Sequence, residues 1–272
     1  MKKTYHGITK ADPNHSMNRR VFVAVGLTGL VRAEWMFARY GQIIPCNWSQ
    51  SEHQMWLPTY GPMGFLVAEA RNMAVRQFLR AGHQWLFFID HDTILPLDFF
   101  LRANERMIKE KIPVWSGLYF TKSVPSEPLV YRGQGNGYFA NWRFGDKVWT
   151  DAVPMGCTVI HRSLLKTMWD DSEEYRIGDP NHPEILRRVF ETPQKAWLEN
   201  GQWMTQTGTE DLHWSWKVIS KGYLKKAGWP DYQRRKFPFL VDTSLFCRHI
   251  DEAGIQYPAN GEEKYFERKE KK

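Results

Sequence analysis

The stretch "WLFFIDHDTILP" (85–96) decides the fold. Uncharged residues from Trp85 to Ile89 run straight into Asp90 and Asp92, and Pro96 ends the segment. A strand that is apolar at consecutive positions is buried on both faces, as in a parallel sheet covered by helices. The carboxylates then fall at the carboxyl end of that strand, where open α/β sheets bind ligands. In an extended segment residues i and i+2 share a side, so Asp90 and Asp92 are expected to project together, with His91 pointing away. Two carboxylates so close repel each other, and a cation between them would resolve the conflict. Oxygen ligands of this kind suit Mg²⁺ or Mn²⁺, completed by phosphate oxygens. A competing reading makes them capping carboxylates at a strand-to-helix turn.

The neighbouring segments alternate in the same style. Upstream, "RRVFVAVGLTG" (19–29) reads as a strand ending in a turn, followed by a helical "VRAEWMFARYG" and a short strand "QIIPCNW". The spacing of Gly26 and Gly29 is too wide for a glycine-rich phosphate loop. "PMGFLVAEARNMAVRQFLRA" (62–81) is an amphipathic helix stopped by Gly82. Downstream, "PLDFFLRANERMIKEK" (96–111) reads as a helix opening on proline, and "IPVWSGLYF" (112–120) as another buried strand. This alternation predicts an α/β domain with a mixed, mainly parallel sheet flanked by helices.

The second half is less regular. "LVYRGQGNGYFANWRF" suggests short antiparallel strands, and "AVPMGCTVIHRSLLKTMW" a strand then a helix. Residues 170–206, broken by Pro180, Pro183 and Pro193, read as a long functional loop or lid. "TEDLHWSWKVISKGY" is a helix with Leu212, Trp216 and Ile219 on its apolar side, and "FLVDTSLFCRHI" closes the sheet. The expected organisation is an N-terminal extension (1–18), one catalytic domain (19–250) and a charged tail (251–272). Within the domain, 19–120 and 121–250 would form two halves.

The chain has 272 residues and a formal charge of +7, which suits acidic partners such as nucleotides. Its Lys and Arg are dispersed, the densest runs being Arg234, Arg235 and Lys236 and the mixed-sign tail "EEKYFERKEKK", so nucleic acid is not the favoured partner. Cys46, Cys157 and Cys247 have no paired metal-binding spacing, and a reduced cytoplasmic setting with buried thiols is expected. No stretch approaches the roughly 20 apolar residues of a membrane span.

Five motifs, in this order, carry a resemblance. They are Arg71-Asn72 in "AEARNMAV", Asp90-His91-Asp92, "VPMGCTVIHRSLL", "GTEDLHWSWKVISKGY" and "VDTSLFCRHID". Together they resemble glycosyltransferases of the GT-A fold, close to glycosyltransferase family 2 and its phage and bacterial relatives. The resemblance implies a divalent metal, Mn²⁺ or Mg²⁺, held by Asp90, Asp92 and His249. It implies a nucleotide-sugar donor, a UDP-sugar, bound by Gly26, Thr28, Arg71, Asp90 and Gly156. The acceptor would be a glycan or another hydroxyl compound. Asp211 would act as catalytic base in an inverting transfer, with Glu210 beside it.

Each residue has a plainer role to set beside this. Arg71 could be a solvated helix residue and Asn72 a local cap. Thr207 and Glu210 could form a capping box, with Thr209 as a rival cap. His249 could pair with Asp251 or Asp242. Trp142, Trp149, Trp203 and Trp214 could stack on sugars or pack the core. Two other functions compete: a haloacid-dehalogenase-like phosphohydrolase, which also ends a greasy strand in Asp-x-Asp, and a non-catalytic nucleotide-sugar-binding protein.

Overall fold

A computed structural model describes residues 21–43, 59–133, 137–181 and 183–259. In chain order, β1 (Val21–Gly26) leads to α1 (Ala33–Tyr40), β2 (Thr59–Tyr60), α2 (Val67–Ala81), β3 (Trp85–Asp90) and β4 (Thr93–Ile94). Then come α3 (Phe99–Glu105), which continues as a π-helical turn (Arg106–Glu110), β5 (Val114–Leu118), β6 (Lys147–Thr150), β7 (Cys157–His161) and α4 (Arg162–Asp171). Two hairpins follow, β8 (Glu174–Ile177) with β9 (Glu184–Arg187) and β10 (Gln194–Glu199) with β11 (Gln202–Thr207). The chain closes with α5 (Glu210–Ser220), the short α6 (Tyr223–Lys226) and α7 (Pro230–Gln233), and β12 (Phe239–Phe246), β13 (Arg248–Ile250) and β14 (Gln256–Tyr257).

The main sheet has the order β2-β1-β3-β7-β5-β12-β6. β1 runs parallel to β2 and β3, and β5 parallel to β12, while β7 and β6 run against their neighbours. The expected mixed, mainly parallel sheet is therefore present. Alternate residues of one strand feed different cores: Leu86 and Phe88 pack with α2, α4 and α5, whereas Trp85, Phe87 and Ile89 pack with α1 and α3. Burial on both faces is the reason the run 85–89 contains no polar position. Fully burying a side chain such as Phe87 contributes about 1.5–3 kcal/mol.

Several expectations need correction. Helix α2 begins at Val67 rather than at residue 62, leaving 62–66 as a loop, and stops at the left-handed Gly82 (φ 79°), whose N–H bonds the Phe78 carbonyl at 3.2 Å. Helix α3 begins at Phe99, because Pro96 lies in the preceding turn, where its carbonyl accepts the Phe99 N–H at 3.1 Å. The stretch 170–206 is not one loop: it contains the end of α4 and both hairpins. The strand expected over "QIIPCNW" has no counterpart at Gln42 and Ile43, and the rest of it, with Cys46, lies outside the described residues. Cys157 and Cys247 are free and buried, their sulfurs 3.6 Å apart.

Candidate active site

Strand β1 ends at Gly26, and the turn beyond it forms one wall of a cleft of about 170 Å³ that opens to solvent. Gly26, Thr28, Arg71, Asp90, His91 and Asp92 all line it, beside apolar Phe65 and Val67. Its mixed lining, apolar with a few convergent polar groups, is that of a small-molecule site. Sequence reasoning set His91 aside because a strand would turn it away. In fact β3 ends at Asp90, and His91 and Asp92 form a turn, so the two-residue alternation lapses one position too early. The His91 Nδ1 lies 3.1 Å from the Gly26 carbonyl and its Nε2 3.2 Å from the Thr28 hydroxyl. A carbonyl can only accept, so Nδ1 carries the proton and Nε2 accepts from Thr28. His91 thereby ties the two strand ends that flank the cleft.

Arg71 lies on the buried stripe of α2 with Ala68, Val75 and Phe78. Its Nε donates to Glu210 Oε1 at 3.0 Å and its Nη2 to Asp90 Oδ1 at 3.4 Å, with the guanidinium 5.2 Å from the Phe88 ring centre. Burial works against the charge, but Asp90 and Glu210 more than offset it and hold the guanidinium above its ordinary value. The solvated-helix reading of Arg71 therefore fails. Asn72 is a clamp instead of a ligand: its side chain bonds both the N–H and the carbonyl of Phe190, at 2.8 and 2.9 Å.

Helix α5 starts at Glu210, with Thr209 in the capping position. Glu210 spends its carboxylate on Arg71, so the expected capping box with Thr207 does not form. Asp211 heads the face that continues through Trp214, Ser215 and Val218, the buried face of the helix. Leu212 and Trp216, expected to face the core, lie on its half-buried flank. The Leu212 N–H donates to Asp211 Oδ1 at 2.7 Å and fixes that carboxylate's orientation. Burial, then the neighbouring Glu210 charge, raises the Asp211 carboxyl above its ordinary value, although Thr209, Arg71 and the Leu212 amide pull it back. A carboxylate tuned upward is a better proton acceptor at neutral pH.

On the other side of Asp90, the turn carboxylate of Asp92 meets Lys122 and His249. Lys122 Nζ contacts Asp92 Oδ2, and His249 Nε2 lies 3.7 Å from Asp92 Oδ1. Asp242 and Asp251 have other partners, Arg106 and the Ile255 N–H, so His249 pairs with neither. Burial opposes the Asp92 charge, yet His249 and Lys122 hold the carboxyl below its ordinary value. Burial also lowers His249, against the attraction of Asp92 and Asp90. The two groups compete over one proton, and burial favours the neutral imidazole; Lys122 adds a second positive partner for Asp92.

Asp92 Oδ1 is buried and accepts no hydrogen bond, and it faces a neutral imidazole nitrogen across a gap too long for a hydrogen bond. That pair fits an ion that draws its other ligands from water and phosphate. The expected trio does not close, however: Asp90 is turned to Arg71, and no group of three His, Cys, Asp or Glu side chains is gathered around one point among the described residues. Lys122, in a loop without any sequence signature, is the residue that sequence reasoning missed here.

Gly156, just before β7, is where the backbone comes closest. Its N–H donates to the Tyr119 hydroxyl at 2.7 Å and its carbonyl accepts the Asp90 N–H at 3.0 Å. A Cβ there would stand 2.6 Å from the Tyr119 oxygen and 2.9 Å from Asp90 Oδ2. Glycine thus keeps room for Asp90 itself. Of the tryptophans considered for sugar stacking, Trp142 and Trp214 are core residues, Trp149 lies under the Arg235 guanidinium at 4.3 Å, and Trp203 is exposed on β11.

No protein-family model and no curated protein matches the sequence. Among solved structures, A197 from STIV is similar over 87% of this chain and 90% of that one, with a TM-score of 0.50 at 16% identity. GalNAc-T7, solved with UDP, GalNAc and Mn²⁺, aligns with 86% of this chain and 44% of its own, with a TM-score of 0.46 at 12% identity. Residues 1–349 of S. aureus TarS in complex with UDP-GlcNAc align with 57% of this chain and 48% of that one, with a TM-score of 0.35 at 15% identity. At these identities the likeness is one of fold: this chain has a GT-A glycosyltransferase-like fold, a mixed sheet flanked by helices.

Proposed function

We propose that the protein is a glycosyltransferase that moves a sugar from a nucleoside-diphosphate sugar, expected to be a UDP-sugar, to an acceptor hydroxyl. One observation carries this reading. Arg71 joins Asp90, at the mouth of the cleft after β1, to Glu210, next to the upward-tuned Asp211. A donor site and a proton-accepting carboxylate are thus built into one unit.

The loop carrying Gly26 and Thr28, held by His91, receives the nucleoside end of the donor. Phe65 and Val67 offer an apolar wall that excludes water from it. Asp211, oriented by the Leu212 N–H, takes the proton from the acceptor hydroxyl. The acceptor oxygen then bonds to the anomeric carbon as the bond from that carbon to the diphosphate breaks, with inversion, and the nucleoside diphosphate leaves with the electron pair. Asp92 and His249 would hold a Mn²⁺ or Mg²⁺ ion, which supplies positive charge to the diphosphate. Lys122 places an ammonium beside the same carboxylate.

Titration calorimetry with UDP-sugars, with and without Mn²⁺, on the wild type and Asp92→Ala tests the donor site. The expected outcome is binding that needs Mn²⁺ and weakens at least tenfold in Asp92→Ala. Absence of nucleotide binding by the folded protein would falsify the transferase reading, and phosphatase activity in its place would favour the haloacid-dehalogenase-like alternative.

A further inference from the structure

The flank of α5 that does not enter the core lines a second cavity of about 200 Å³. Leu212 and Trp216, one helical turn apart, form one wall; Tyr131, Asp151, Gly133 and Gly137 form much of the rest. The cavity belongs to the neighbourhood of Asp211: Leu212 is the next residue, and the Tyr131 phenol is pushed up to about 12, by burial first and then by the Asp211 charge. The wall is also built firmly. Tyr131 bridges Ala152, the Gly133 N–H donates to Asp151 Oδ2 at 2.8 Å, and the Val153 N–H donates to Ser215 Oγ on α5 at 3.2 Å.

The lining chemistry discriminates among acceptors. Tyr131 and Trp216 are half-buried, so their rings border the cavity, unlike the buried Trp214 two residues away. The negative face of an aromatic ring suits the weakly positive C–H face of a sugar. A carboxylate that accepts one amide bond still has acceptor positions for sugar hydroxyls. Among the described residues no Lys or Arg lines this cavity, and Asp151 would repel a phosphate, so a nucleic-acid backbone or another anionic acceptor is poorly served.

We infer that this cavity binds a sugar residue of the acceptor, which makes the acceptor a glycan whose hydroxyl is presented to Asp211. The inference rests on the transferase reading for Asp211, but its sugar-binding claim can be tested apart from it. The probes are methyl glycosides of glucose, galactose and N-acetylglucosamine and their β-linked disaccharides, observed by saturation-transfer NMR on the full chain. The expected result is contact with at least one saccharide, weakened at least tenfold in Trp216→Ala and in the shape-conserving Asp151→Asn. Calorimetric UDP-sugar binding should stay within twofold of wild type in both variants. If UDP-sugar binds but every saccharide fails, or if saccharide contact survives both substitutions, the cavity is not an acceptor site. If saccharide binding depends on Trp216 while no nucleotide binds, the sugar site stands and the transferase reading falls.

Discussion

At the scale of single residues, Asp211 is ionised against the preference of its surroundings. Its folded pKa is raised above the unfolded value, chiefly by burial and Glu210. A carboxyl raised in this way leaves the fold unpenalised below the unfolded pKa and penalised once pH passes the folded one. Asp211→Asn is therefore expected to raise the melting temperature at pH 7 and to lose that advantage in acid, as scanning calorimetry at the two pH values would register. The same variant should lower kcat for sugar transfer by about 10²–10⁴-fold. In the wild type the acid limb of kcat/KM should lie above the ordinary aspartate value of about 4. A variant that loses both stability and activity at pH 7 would mark Asp211 as a structural carboxylate.

At the scale of elements, the π-helical turn after α3 is held by charge. Arg106 Nε donates to Asp242 Oδ2 at 2.8 Å, and Asp242, on β12, is fully buried. Ser244 completes the shell, its N–H and hydroxyl bonding Asp242 Oδ1 at 3.0 and 2.6 Å. Arg106→Met would strand a buried carboxylate and should cost about 3–5 kcal/mol in urea unfolding. An unchanged midpoint would mean that water reaches Asp242. Elements of this kind also show where the sequence stops being legible. Strands β1 and β3 could be read because each is buried on both faces, which leaves an uninterrupted apolar run; β5, β7 and β12 are apolar at most positions but carry Ser116, Thr158 and Asp242 within them. The faces of α5 could not: Leu212, Trp214, Trp216 and Val218 are all apolar, and only the packing decides that Trp214 and Val218 go inward. The hairpin of β10 and β11 did carry a signal, Asn200-Gly201, whose positive φ angles of 50° and 78° suit a two-residue hairpin turn. Its polar strands hid it among loop residues. Of the candidate site, Asp90, Asp92, Arg71, Asp211 and His249 are named by motif order alone, and Arg71, Asp90 and Asp92 line the cleft. The sharing of Arg71 between Asp90 and Glu210 was not, because those partners are 19 and 139 residues away.

At the scale of the whole molecule, the two hairpins within 170–206 differ in kind. The first is anchored by Leu186, Val189 and Phe190, all buried, and by the Asn72 clamp. Every residue of β10 and β11 is exposed, including Trp203 at 74%, and the arm is closed at its base by the Gly208 N–H to Pro193 carbonyl bond of 2.9 Å. Deleting 194–207 and joining Pro193 to Gly208 should leave the unfolding free energy within about 1 kcal/mol, as for other surface changes. Limited proteolysis of the wild type should cut within this arm before it cuts between Glu174 and Phe190. Early cleavage in the first hairpin would contradict the anchoring role given to Asn72.

The strand order has a further consequence for how such a molecule can diversify. Strand β7 lies between β3 and β5, and β12 lies between β5 and β6. The segments 19–120 and 121–250 are thus interleaved within one sheet, and neither is a detachable module. A split at residue 120 would break hydrogen-bond ladders in the middle of the sheet and expose apolar rows on both fragments. New binding preferences could not be gained by swapping one half for another. They would have to come from grafts outside the sheet, at the exposed β10–β11 hairpin, where chain can be added or exchanged without reopening the core.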